Sequence, residues 1–138
     1  PPVLDELGLA AALHDLASRQ SQSGLDVSVH CDAPADLDQR TAQAAYGIVA
    51  EAVTNVVRHS GARACRVAVT ASAVLDVSVE DDGAGIPALA GSGVGTQSMR
   101  ERAEEQGGTF RIESLEGAGT RVHATLPLVR RGSAGGES

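Results

Sequence analysis

The sequence predicts an α+β fold: a two-layer α/β sandwich whose mixed, mostly antiparallel sheet carries helices on one face. Five runs alternate apolar and polar residues with the period of a half-buried strand, at about 25–31, 64–71, 74–80, 109–115 and 121–126. Two long stretches, 9–18 and 38–59, instead space their apolar residues as one face of a helix. The strand pairs 64–71 with 74–80 and 109–115 with 121–126 are joined by connections short enough for hairpins.

The elements follow in order. After Pro1 and Pro2, Val3-Leu4-Asp5-Glu6-Leu7-Gly8-Leu9 opens an apolar periodicity that runs to about Ser18. Leu9, Leu13 and Leu16 share one face, as in a helix packed on a neighbour, and Gly24 closes it. Leu25 to Cys31 alternates as a strand and is followed by a polar turn containing proline. Between Asp38 and His59 there is no proline and one glycine, and Ile48, Val49, Val53, Val56 and Val57 mark a buried helix that Gly61 ends. The segment 83–95 reads as a loop from its glycines and proline, and 96–106 as a helix closed by Gly107 and Gly108. The last two strands turn around Gly117 and Gly119. Residues 1–130 then form one domain, and 131–138, rich in glycine and serine, a disordered tail.

Composition excludes several functions. A chain of 138 residues is long enough for one domain with its own core. Hydrophobic residues make up 42% but aromatics only 1%, Tyr46 and Phe110, which leaves little on which to stack a nucleic-acid base. The net charge of -7 also argues against a nucleic-acid partner, since phosphate backbones need a basic footprint. All 11 basic residues are arginine, so no lysine-based phosphate loop is available. Cys31 and Cys65 lack metal-ligand spacing and read as buried, reduced thiols. No signal peptide or membrane-length apolar run occurs, so a cytoplasmic location without direct membrane contact is expected.

Four clusters carry the chemistry. Glu51, Asn55, Arg58 and His59 stand at i, i+4, i+7 and i+8, one polar strip on a helix whose other face is apolar. Carboxylate, amide, guanidinium and imidazole along a core border are costly unless they face a cleft. An amide oxygen is a hard neutral ligand that can hold Mg²⁺ while leaving positions for phosphate oxygens and water. Second, Asp81-Asp82-Gly83-Ala84-Gly85 follows a strand, where ligands commonly sit. A carboxylate there accepts from adenine's exocyclic amine but would face guanine's carbonyl acceptor to acceptor. Gly83 and Gly85 have no side chain to hold a base away from the backbone. Third, Gly91, Gly93 and Gly95 lead into a helix, where free N–H groups and the dipole suit phosphate. Their spacing is not that of a dinucleotide-binding fold. Fourth, Thr120 follows the Gly117-Ala118-Gly119 turn.

This order of motifs, across nearly the whole chain, resembles the ATP-binding (Bergerat) domain shared by gyrase, heat-shock chaperones, histidine kinases and mismatch-repair ATPases. In detail it looks like a sensor histidine kinase of the nitrate-sensor and lipid-fluidity-sensor type. The resemblance implies ATP and Mg²⁺ as ligands, with Asn55 on the metal and Glu51 as the catalytic residue that orients a metal-bound water or assists proton transfer. It places Arg58 and His59 on the phosphates, Asp81 rather than Asp82 on the base, and Thr120 on the base through a water. Segment 86–95 becomes a short lid hinged by Gly91, Gly93 and Gly95, with Thr96 where these kinases usually carry leucine. Residues 1–22 become the helix leading in from a histidine-containing dimerisation domain. The implied partners are that domain and the receiver domain of a response regulator.

His14-Asp15 imitates a phosphoacceptor pair, but in the family this segment follows the acceptor helices, so His14 is not taken as the phosphorylated residue. His30 and His123 lie within strand patterns and read as structural. Two rivals share the pocket: an anti-sigma-factor serine kinase, which lacks the Pro-Pro-x-Leu-Asp-Glu-Leu-Gly-Leu opening, and a non-catalytic nucleotide-binding module, which intact Glu51, Asn55 and Asp81 oppose.

Overall fold

A computed structural model of the chain describes residues 2–83, 94–115 and 119–132. Its elements run α1 (Pro2–Leu7), α2 (Leu9–Ser21), β1 (Asp26–Asp32), α3 (Gln39–Asn55), a π-helical turn (Val56–Ser60), β2 (Ala64–Ala71), β3 (Val74–Asp81), α4 (Val94–Glu105), β4 (Thr109–Leu115) and β5 (Gly119–Pro127). The five strands form one sheet in the order β1-β2-β3-β5-β4. β1 pairs with β2 in parallel, and every other pair is antiparallel. This is the mixed sheet that the alternating runs predict.

Alternation decides the two faces. On β3, Leu75, Val77, Val79 and Asp81 are buried, and they register with Leu126, Ala124, Val122 and Thr120 of β5. Against this face pack Leu13 and Leu16 of α2, Ile48, Val49, Ala52 and Val53 of α3, and Met99 and Ala103 of α4. The opposite face is polar. Across it Glu80 accepts from Arg66 Nη2 at 2.9 Å and from Arg121 Nε at 2.8 Å, and these two partners hold its carboxyl below the usual range. His123 Nε2 lies 2.7 Å from Asp76 Oδ1 on the same face, the structural role expected of it.

The structure departs from the sequence reading at several element ends. The opening periodicity is two helices, because the chain breaks at Gly8 with φ 91°. Leu4 of α1 is nevertheless in the core with Leu9 and Leu13. α3 begins at Gln39, after Asp38, whose carboxylate accepts from Arg40 N at 3.0 Å as an N-cap. α4 starts at Val94 rather than Thr96 and ends in a Schellman arrangement. There Gly107 N donates to Glu104 O and Gly108 N to Ala103 O, with Gly107 at φ 83°. Arg131 and Gly132, assigned to the tail, form a turn in which Arg131 N donates to Asp36 O at 2.6 Å. The rest of that tail, 133–138, lies outside the described residues. Among the described residues, no helix is long and apolar enough to cross a membrane.

Candidate nucleotide site

The site begins where the core runs out. Along the helix-covered face, the row Val67–Val79–Val122 across β2, β3 and β5 is wholly apolar. One row nearer the strand ends, the register sets Cys65 opposite Asp81 and Asp81 opposite Thr120. All three side chains are buried, at 3%, 8% and 4% exposure. A thiol, a carboxylate and a hydroxyl thus replace three valines at the end of a hydrophobic sheet face. Buried polar groups are tolerated where they have partners.

Asp81 has one in Gly83, whose N–H donates to Oδ1 at 2.7 Å. Burial nevertheless raises its pKa, the Gly83 bond opposes the rise, and the neighbouring Asp82 charge adds to it. Thr120 Oγ1 has no partner at all, a fully buried hydroxyl left unsatisfied among the described residues. A ligand or water bridging Thr120 and Asp81 would satisfy both. Gly119, next to Thr120, has φ 105°, and a Cβ there would run into the Asp81 carbonyl oxygen. The missing side chain is what lets β5 approach the carboxylate-bearing end of β3.

Asp82, which the resemblance leaves off the base, is exposed but has partners of its own. Its Oδ1 accepts from Arg63 N at 2.9 Å and Ala64 N at 3.0 Å, and its own N donates to Ala64 O at 3.3 Å. Those donors lower its pKa. One aspartate therefore faces the core and the next fastens the start of β2 to the end of β3, because successive strand residues point to opposite faces.

The second wall is α3. Glu51 and Asn55 are half-buried and one helical turn apart, as the spacing predicts. The uninterrupted strip down to Arg58 and His59 is not observed. At the helix end, Val56 N–H is shared between the carbonyls of Ala52 and Val53, and a π-helical turn takes over through Ser60. A π turn winds less per residue than an α turn. The residues after Asn55 therefore rotate away from the expected strip, and Arg58 is exposed. Val57, expected in the core, is 44% exposed. His59 lies in this turn, but its side chain falls outside what the structure describes.

A groove of about 440 Å³ runs along the outer face of α3, lined by Gly47, Glu51 and Thr54 together with Asp5 and Arg102. The Arg102 guanidinium lies over Gly47, where a Cβ would meet it at 2.9 Å. That contact gives a mid-helix glycine a packing reason that the sequence did not reveal.

Gly95 falls in the first turn of α4. Gly85, Gly91 and Gly93, and with them the lid assignment, lie outside the described residues. Thr96 is buried at 6% exposure although it replaces an expected leucine. His14 is exposed on α2.

The donor set fits a magnesium nucleotide. Among the described residues no group of three or more His, Cys, Asp or Glu could hold a metal alone. An ion shared between the Asn55 amide, nucleotide phosphates and water needs no such cage. The orphaned Thr120 hydroxyl beside Asp81 is the cradle a base would complete.

Known proteins share this chain's family and its fold. The family of histidine kinase-, DNA gyrase B- and HSP90-like ATPases matches residues 41–130. The chain is 35% identical to the sensor histidine kinase NarS of Mycobacterium tuberculosis over 94% of its length, covering 32% of that protein. It is 32% identical to the NarQ homolog of Haemophilus influenzae over 90% of its length, covering 23% of that one. The chain thus spans a third or less of these relatives. Among solved structures, the blue-light activated histidine kinase of Erythrobacter litoralis EL346 superposes with a TM-score of 0.71 at 28% identity, over 87% of this chain and 42% of that one. The ATP-binding domain of PrrB from Mycobacterium tuberculosis shares the fold with a TM-score of 0.69 at 22% identity, over 86% and 92%. The chain belongs to the histidine kinase-, DNA gyrase B- and HSP90-like ATPase family, and its relatives in sequence are sensor histidine kinases.

Proposed function

We propose that residues 1–130 are the Mg²⁺–ATP-binding catalytic domain of a two-component sensor histidine kinase. The domain presents the γ-phosphate of ATP to a histidine on a separate dimerisation domain, from which the phosphoryl passes to an aspartate of a response regulator. The observation that carries this is the buried row in which Asp81 stands opposite Thr120, whose hydroxyl has no partner. Asp81 accepts the exocyclic amine of adenine, and Thr120 takes a water on the same base edge. Asn55 holds the magnesium ion, which when bound neutralises charge on the phosphates. Glu51, one turn before it, orients water or assists proton transfer at the acceptor. Gly95, at the start of α4, puts backbone N–H groups near phosphate. Phosphoryl transfer of this kind depends mainly on positioning and charge neutralisation.

Two results follow. Asn55→Ala should weaken Mg²⁺–ATP binding far more than binding of adenosine, because only the former uses the ion; calorimetric titration of both ligands checks this. Equal losses would make Asn55 structural. Incubated with γ-labelled ATP and Mg²⁺, the chain alone should stay unlabelled, since His14 is not the acceptor. An acid-labile, base-stable label that disappears in His14→Gln would overturn the domain assignment.

A further inference from the structure

The two cysteines stand in different rows of this sheet, Cys31 half-buried on β1 and Cys65 buried on β2. Cys31 registers with Val69, and through it the row continues to Val77 and Ala124, an apolar layer two rows into the core. Cys65 stands in the row of Asp81 and Thr120. Asp81 is thus flanked on one side by a thiol and on the other by a hydroxyl. The hydroxyl is the independent sign that a ligand belongs here: Thr120 is 4% exposed and its Oγ1 is unpartnered.

The flanks are not equivalent. Directly opposed residues of an antiparallel pair keep their Cβ atoms about 4.5–5.5 Å apart. A base whose amine donates to Asp81 at roughly 3 Å therefore sits within reach of both neighbours. The side with an unsatisfied hydroxyl takes the polar ring edge, directly or through water. The thiol side is left for the outer side of the amine. Burial and the nearby charges of Asp81 and Asp82 push the Cys65 thiol up to about 12, so it stands there as a neutral, soft group the size of a small hydrophobe.

We propose that Cys65 sets how large a substituent the exocyclic amine of the bound purine can carry, which makes it a second specificity-determining residue of the base site beside Asp81. This rests on the reading of Asp81 as the base-reading carboxylate. A residue no bigger than cysteine accommodates a bare amine but crowds an alkylated one. A smaller residue opens room beside Asp81, and a larger one fills the place of the amine itself.

Calorimetric titration of the chain with ADP and with N6-methyl-ADP tests this, with thermal melts verifying that each variant is folded. Cys65→Ala should raise the affinity for N6-methyl-ADP relative to ADP by at least tenfold. Cys65→Leu should lower ADP affinity by at least tenfold. Cys31→Ala, in the deeper apolar row, should leave the ratio of the two nucleotides unchanged. If Cys65→Leu does not fold, the Cys65→Ala ratio decides, because that change only removes atoms. An unchanged ratio in Cys65→Ala, with Asp81→Asn still losing ADP, overturns the role of Cys65 alone. Unchanged ADP affinity in Asp81→Asn overturns the base assignment on which it rests.

Discussion

Asp81→Asn is expected to act in two opposite directions: it weakens adenine-nucleotide binding and stabilises the nucleotide-free protein. Binding falls because the amide turned toward the base presents donor to donor. Leaving such a buried partner unmatched costs about 2–4 kcal/mol, or roughly 30- to 1,000-fold in affinity. Stability rises because the native carboxylate is held against its own solvation. Its pKa is raised by burial, so the folded state keeps a proton more readily than the unfolded chain does. Above the raised value the charge is a full penalty on folding, and it fades as pH falls towards the ordinary carboxylate value. The melting temperature of Asp81→Asn should therefore exceed that of the parent at neutral pH, and the gap should close on acidification. The parent's curve alone cannot show this. Glu80, lowered by Arg66 and Arg121, contributes stability that is lost as pH falls, the opposite sign. Only the difference between variant and parent isolates Asp81. A variant with lower stability and full binding would mean the carboxylate is structural.

Gly119→Ala should unfold or nearly unfold the nucleotide end of the sheet. The residue sits at φ 105°, which L side chains rarely adopt, and a Cβ there would meet the Asp81 carbonyl oxygen, with Asp81 Oδ1 at 3.1 Å. Backbone cannot yield as a flexible side chain can. Strain and clash together amount to about 3 kcal/mol or more, a drop of roughly 10 °C in melting temperature for a domain of this size. Gly61→Ala, at φ 66° with nothing within 4 Å of the added carbon, carries strain without collision and should cost clearly less. Thermal melts of the two variants side by side check the distinction; equal losses would remove the contact with Asp81 from the explanation.

How much of this could be read from the residues follows from the range over which each feature is decided. Strands β2 and β3 alternate over eight residues each, and a period of two survives any tertiary context, so their expected bounds lie within a residue of the observed ones. That β3 ends on an aspartate is legible in the strand running into Asp81-Asp82-Gly83, while the preference for Asp81 over Asp82 as the base reader rests on the family resemblance. The break at Gly8 is not, since Leu4 and Leu9 both enter the core and continue the apolar pattern across it. The π turn is hidden for a related reason: Val56, Val57, Arg58 and His59 suit an α-helix as well, and nothing in their pattern marks the change of winding. The Cys65–Asp81–Thr120 row depends on strand register, which no single segment encodes. The role of Asp82 is not legible because its partners, Arg63 N and Ala64 N, are backbone groups just before and at the start of β2.

The central claim is that this sheet end reads adenine and that the neighbouring helix holds its magnesium. Calorimetric titration of the unmodified chain with ATP and with GTP, each with Mg²⁺ and with a chelator, tests it most directly. Mg²⁺ should strengthen the binding of ATP, and GTP, whose carbonyl would face the Asp81 carboxylate, should bind at least about a hundredfold more weakly. Equal affinity for ATP and GTP, or ATP binding indifferent to Mg²⁺, would contradict it.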